Sequence, residues 1–200
     1  MCYFEQSTNG TPQVIFKIFI ILKRKEIKKD NISSRKSKKA RFLTIKAELS
    51  DKLPLYLTCL HLDHRVEPRR LNEINTIKEY LENVFKDDHC QIWTGDFNAL
   101  TKEDYSQDSW QTITEVRKRN GWELPKVDLT DAVKQFGFKD TWYLAGCPEP
   151  VKTCRFDTHI DYVYANSKLL NHFSVDQVVH VDDSASDHNM VVTTFKNTIL

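Results

Sequence analysis

The sequence predicts a mixed α/β fold in which sheets pack against helices on their outer side. Three observations lead there. Short apolar runs with strand character recur along the chain, helical periodicities stand between some of them, and turn residues punctuate both. A length of 200 residues suffices for one domain with a core, and 40 % hydrophobic with 28 % charged residues is the balance of a globular protein. Eleven Phe, seven Tyr and four Trp argue against extended disorder.

The most hydrophobic stretch is VIFKIFIIL (14–22). It is too short to span a bilayer and Lys17 interrupts it, so it reads as a buried strand. Basic residues follow this run instead of leading it, the reverse of a secretory signal. Residues 23–41 hold ten Lys/Arg against two acids, while the rest of the chain is net acidic. This strip reads as a solvated connection. A phosphate backbone, a nuclear import receptor or an anionic membrane is the alternative partner. RFLTIKAEL (41–49) and LPLYLTCLHL (53–62) read as a hairpin turned by Ser50-Asp51-Lys52. Pro68 suits the first turn of a helix in which Leu71, Ile74, Ile77, Leu81, Val84 and Phe85 recur. CQIWTGDF (90–97) returns to strand. Residues 108–120 give a second helix with Trp110, Ile113 and Val116 on one face and Asn120-Gly121 as its stop. A third runs from Asp128 to Phe136, with Leu129, Ala132, Val133 and Phe136 inward and Gly137 at its end. HIDYVYA (159–165), HFSVDQVVHV (172–181) and MVVTTF (190–195) close the sheets. The five cysteines form no C-x-x-C pair and read as reduced thiols, which suits a cytoplasmic or nuclear protein.

Polar residues that interrupt apolar strands are the candidates for chemistry. In GDFN, Gly95 permits a tight turn, and Asp96 and Asn98 can point to one side with Phe97 in the core. One carboxylate can take a proton from water and one carboxamide can donate to a bound oxygen, although an ordinary turn uses the same residues. Asp187 and His188 are adjacent before a strand. A histidine acting as base needs an orienting carboxylate, and Asp161 in HIDYV is a candidate. An edge strand with Asp161 facing solvent is the other reading. His61 interrupts the strand LTCLHLD, where a core histidine with satisfied hydrogen bonds is the simpler reading.

Taken in order, CLHLD, GDFNAL, DTW (140–142), HIDYVY and SDHNMV resemble the endonuclease/exonuclease/phosphatase superfamily, the deoxyribonuclease I-like group, over residues 41–195. The resemblance implies a two-sheet β-sandwich flanked by helices and Mg²⁺-dependent hydrolysis of a phosphoester, with Mn²⁺ as the alternative ion. It implies catalytic roles for His61, Asp96, Asn98, Asp161 and His188, and a place at or near the metal for Asp187. A phosphate would be held by Asn98, Arg155 and His159. Such chemistry is sensible, because phosphodiester cleavage needs neutralised equatorial oxygens, a positioned nucleophile and a proton for the leaving group.

Two features depart from the family pattern. Its opening strands, one with an active-site Asn and one ending in QE, have no convincing copy in residues 1–40, where Glu5 is the only acid before Glu26. The expectation is a divergent segment at 1–40 carrying the basic strip, and an incomplete family domain at 41–200 with its first strands missing. His159 stands where many members carry Arg, and a histidine does not replace a bidentate guanidinium. The expected partner is a phosphodiester, with nucleic acid favoured over phospholipid or inositol phosphate, and no transmembrane segment is expected. The competing expectation is a catalytically impaired domain that still binds phosphate or nucleic acid.

Overall fold

The computed structural model describes residues 2–7, 15–20, 42–49, 53–85, 89–146, 152–182 and 186–198. The elements are β1 (Cys2–Ser7), β2 (Ile15–Ile20), β3 (Phe42–Glu48), β4 (Pro54–His61), α1 (Glu67–Val84), β5 (Cys90–Asp96), α2 (Gln107–Arg119), α3 (Asp128–Gln135), β6 (Phe138–Asp140), α4 (Thr141–Leu144), β7 (Asp161–Asn166), α5 (Ser167–Leu170), β8 (Phe173–Val181) and β9 (Met190–Asn197). Two sheets result. The first is antiparallel in the order β1-β2-β9-β8, and the second runs β3-β4-β5-β7-β6.

Alternation along the strands builds two apolar layers. Leu55, Leu57, Ile92, Val163 and Ala165 of the second sheet meet Val178, Val191 and Phe195 of the first between the sheets. Leu60, Trp93, Tyr162 and Tyr164 point the other way, against Ile74, Ile77 and Leu81 of α1 and Leu129 and Val133 of α3. Fully burying each such aliphatic side chain contributes about 1.5–3 kcal/mol. The strands β4 and β5 are parallel, so a crossover is required, and α1 supplies it. Gly95 lies opposite Leu60 in that pairing, with φ +131°; a Cβ there would sit 2.0 Å from the Leu60 carbonyl oxygen.

The helices over 108–120 and 128–136, the hairpin of β3 and β4, and the closing strands lie where periodicity puts them. Val116 remains exposed, and α2 has no fully buried residue; its Trp110 and Ile113 lean on Leu100, Cys154 and Ile160 instead. The run 14–22 supplies β2, which pairs with β9, while β1 was not anticipated. The basic strip 23–41 and the turn Ser50–Lys52 lie outside the described residues. Cys59 is disulfide-bonded, so the expectation of five reduced thiols fails, and with it the compartment argument that rested on them. Cys90 and Cys154 are buried thiols outside any disulfide. Among the described residues, no helix is long and apolar enough to cross a membrane.

Candidate functional site

The site arises where the inter-sheet rows run out of apolar residues. On β4 the inward positions read Leu55, Leu57, Cys59, His61; on β5 they read Ile92, Thr94, Asp96; on β7 they read Ala165, Val163, Asp161. Register then sets His61 beside Asp96, and Asp96 beside Asp161, at one end of the sandwich. The segment leading into β9 brings the fourth member. An isolated bridge from His188 to Cys154 and the bond from Arg155 N–H to the Asp187 carbonyl (3.0 Å) fasten that segment to the loop before β7.

His188 Nδ1 lies 2.9 Å from Asp161 Oδ2. Donor atoms of Asp96, Asp161 and His188 all lie within 4.8 Å of one another. Burial, then the neighbouring Asp161 charge, push the Asp96 carboxyl up to about 7. Its Oδ1 accepts from the Asn98 backbone N–H at 2.8 Å. The hydrogen bond to Asp161 raises the His188 imidazole above its ordinary value, against the opposing effect of burial. His61 Nε2 approaches Asp96 Oδ2 at 3.6 Å while its side chain stays 59 % exposed, so it overhangs the site from the solvent side.

Asp161 is held from behind. The Thr153 hydroxyl oxygen accepts from the N–H groups of both Ile160 (3.0 Å) and Asp161 (3.1 Å). His159 Nε2 faces the Asp161 carbonyl at 3.1 Å, and its Nδ1 faces Asp104 Oδ2 at 2.9 Å. Both partners are acceptors, so both bonds form only when the ring carries two protons. Burial opposes that charge, but the Asp104 hydrogen bond and the nearby Asp140 outweigh it and raise the His159 value. Asp104 also accepts from the Tyr143 hydroxyl.

His159 is therefore placed differently from expectation. Its side chain is 2 % exposed and both nitrogens are committed inward, which puts it out of contact with a phosphate arriving from solvent. Asp187 stands outside the trio, 35 % exposed, with Arg155 Nη1 at 3.9 Å from its Oδ2. Asn98 takes φ +50°, a left-handed conformation that Asn tolerates better than most residues, and its side-chain amide donates to the Leu62 carbonyl at 3.0 Å. Thr153 and Asp104 were missed in the sequence. Neither interrupts an apolar strand, and only the fold brings Asp104 to His159.

The donor set suits a hard divalent cation. Asp161 Oδ1 is buried without a hydrogen-bond partner, an unusual state for a carboxylate oxygen. A cation beside it would also relieve the repulsion between Asp96 and Asp161. Oxygen ligands from one or two carboxylates, completed by water, are what Mg²⁺ takes.

No protein-family model matches the sequence, and a search of the curated proteins finds no match. Solved structures do match. An endonuclease/exonuclease/phosphatase from Beutenbergia cavernae DSM 12333 superposes with a TM-score of 0.54 at 17 % identity, over 78 % of this chain and 39 % of that one. The human Nocturnin catalytic domain with bound sulfate anion superposes with a TM-score of 0.52 at 15 % identity, over 98 % of this chain and 60 % of that one. The chain thus spans between about two fifths and three fifths of these proteins' length. With two facing sheets, outer helices and these superpositions together, the chain has the deoxyribonuclease I-like fold of endonuclease/exonuclease/phosphatase proteins.

Proposed function

We propose that the chain is an Mg²⁺-dependent phosphoesterase that hydrolyses phosphodiester bonds of nucleic acid. The observation that carries this reading is the convergence of Asp96, Asp161 and His188 within 4.8 Å at the rim of the sandwich. Asp96, set beside Asp161 and His188, positions the attacking water and takes its proton. Asp161 orients the His188 ring through Nδ1 and favours its charged form, leaving Nε2 to meet a non-bridging phosphate oxygen. His61, mostly exposed over Asp96, delivers a proton to the leaving oxygen. The Asn98 amide, turned from Leu62, holds a second phosphate oxygen, and Arg155 supplies positive charge at the edge. Asp96 and Asp161 would hold the cation, with Asp187 in its outer surroundings; Mn²⁺ is the alternative ion. When bound, such an ion neutralises phosphate charge and acidifies coordinated water.

A second reading has its own support. The only acid of β1 or β2 is Glu5, and register puts it opposite Lys17, three positions from the Cys2–Ile20 end that lies level with Val191. That is about 10 Å along the strand and two strand spacings, roughly another 9.5 Å, from β9. With Glu5 as the one acid these two strands offer, a phosphate-binding domain with impaired turnover is the alternative.

Hydrolysis of nucleic-acid and aryl phosphodiesters across a Mg²⁺ titration decides between the two. Turnover that needs the ion and vanishes in both His188→Ala and Asp96→Ala is the expected result. A folded protein that binds nucleic acid in a salt-sensitive manner but turns over nothing at any Mg²⁺ level establishes the second reading.

A further inference from the structure

Trp122 and Phe156 form a pair of exposed aromatic rings, and Phe156 lies two residues from Cys154, which bridges the segment bearing His188. Trp122 is 45 % exposed and Phe156 is 53 % exposed, and their centroids lie 5.3 Å apart at an interplanar angle of 75°. Large aromatic rings left this open are not explained by core packing.

Both rings sit on hydrogen-bonded turns. The last turn of α2 ends on Asn120, Gly121 adopts φ +66°, and the N–H groups of Gly121 and Trp122 bond the carbonyls of Lys118 (3.2 Å) and Arg117 (2.9 Å). That reverse turn, a Schellman motif, fixes the backbone of Trp122. The Arg117 guanidinium closes the turn further by donating to the Glu123 carbonyl at 3.2 Å. Phe156 occupies the tip of a second turn. The Asp157 N–H bonds the Cys154 carbonyl at 3.1 Å, and Thr153 N–H bonds the Thr158 carbonyl at 3.0 Å below it. Rings carried on turns held in this way bring an already ordered backbone to binding.

The second turn is tied directly to the site. Cys154 bridges His188, and Arg155 N–H bonds the Asp187 carbonyl. Phe156 is two residues from Cys154, so its Cα lies within roughly 13 Å of that of His188, from the Cα spacings along a chain and across a bridge.

The charge around the rings is positive. The Arg155 guanidinium lies over the Phe156 ring, 4.7 Å from its centroid. Arg117, Lys118 and Arg119 crowd the last turn of α2 immediately before Trp122, and Lys126 follows it exposed. Among the described residues three acids here are paired: Glu123 with Arg70 and Lys126, Asp157 with Lys152 and Asp187 with Arg155. Exposed π-faces interleaved with cations fit a strand that offers flat bases on an anionic backbone.

We propose that Trp122 and Phe156 form a stacking platform for an unpaired base of a single-stranded polynucleotide, holding that strand beside the Asp96–Asp161–His188 site. The substrate class rests on the phosphodiesterase reading above, but the platform makes its own prediction. It favours unpaired over paired strands, because a base inside a duplex offers no free face.

The test separates binding from turnover. Binding of a labelled oligothymidylate and of an abasic oligomer of equal length and charge is measured in EDTA. The same is done for Trp122→Ala, Phe156→Ala and Trp122→Phe, all at exposed positions. The wild type is expected to prefer the base-bearing strand by about five- to a hundred-fold, the scale of one stacked base. Either alanine variant should erase that preference without weakening abasic binding or lowering the melting temperature, and Trp122→Phe should restore most of it. Trp93 and Trp142 are buried and Trp110 is half-buried, so the part of the quenching by the oligomer that Trp122→Phe removes gives a second readout. Equal affinity for both oligomers overturns the platform, as does a loss in the variants that is the same for both. Tighter binding to anionic phospholipid vesicles than to the oligomer also overturns it, and assigns the rings to a membrane surface. Base-dependent binding without Mg²⁺-dependent turnover sinks the phosphodiesterase reading and leaves the platform standing. Turnover without base preference does the reverse.

Discussion

Replacing Asp96 with Asn should stabilise the fold at neutral pH while abolishing turnover. The carboxyl is 3 % exposed, and burial together with Asp161 raises it from 3.8 to about 7. The folded state therefore holds this proton more tightly than the unfolded chain. The stabilisation from Asp96 is complete below pH 3.8 and is lost as pH rises through about 7. Above that, ionised Asp96 costs the fold at most roughly 4 kcal/mol, from about three pKa units at 1.36 kcal/mol each. An Asn side chain keeps the oxygen that accepts from the Asn98 N–H and carries no charge. For a domain of this size the gain corresponds to a melting temperature higher by up to about 8–16 °C. Thermal and urea unfolding of both proteins in EDTA, from pH 5 to 9, measures the difference. The gap between the two curves should widen as pH rises from 5 and level off above about 7. A variant no more stable than the wild type at pH 8 would refute the account of Asp96 as a strained, buried acid. Adding Mg²⁺ should then stabilise the wild type and leave D96N nearly unmoved, because ions that bind only the folded state act by mass action.

Other consequences follow from the same geometry. The His188 value is raised, so its charged form is present below that value and lost as pH climbs past it; turnover should fall on the alkaline side. In Asp161→Asn that alkaline limb should move to lower pH and kcat should fall on the order of 10²–10⁴-fold, both read from pH–rate profiles. His159→Phe strips the buried Asp104 of its imidazole partner and should cost about 3–5 kcal/mol in urea unfolding, since breaking a buried pair strands a charge. At Asn98, with φ +50°, Ala should cost about 1–2 kcal/mol of stability and Gly much less, while both lose the amide and should lower kcat/KM alike.

The elements with enough residues to show a period were legible in the sequence. Eighteen residues of α1 repeat Leu71, Ile74, Ile77 and Leu81, and β4, β5 and β7 each alternate over six residues or more. The strand β6 has three residues, too few for alternation to register, and β1 mixes Glu5, Gln6 and Ser7 with its apolar residues. The site was partly readable in the same way. His61, Asp96 and Asp161 continue the inward rows of Leu57, Ile92 and Val163, and only the strand register was needed to bring them together. The role expected of His159 came from its neighbours in HIDYVY, and nothing local shows that its ring turns under the strand toward Asp104, 55 residues away in the chain. Pairings between remote loops are set by tertiary packing, and a one-dimensional pattern does not carry them.

The hydrogen bond from His188 to Asp161 joins the segment entering β9 in one sheet to the first residue of β7 in the other. It works as an alignment gauge between two layers whose shared core is apolar and tolerates sliding. A small shear would part imidazole from carboxylate long before Leu57, Val163 and Val191 felt water. The imidazole proton resonance should therefore broaden, and turnover fade, at denaturant concentrations where the tryptophans still report an intact core. Chemistry in this molecule would be the first thing to leave and the last to return.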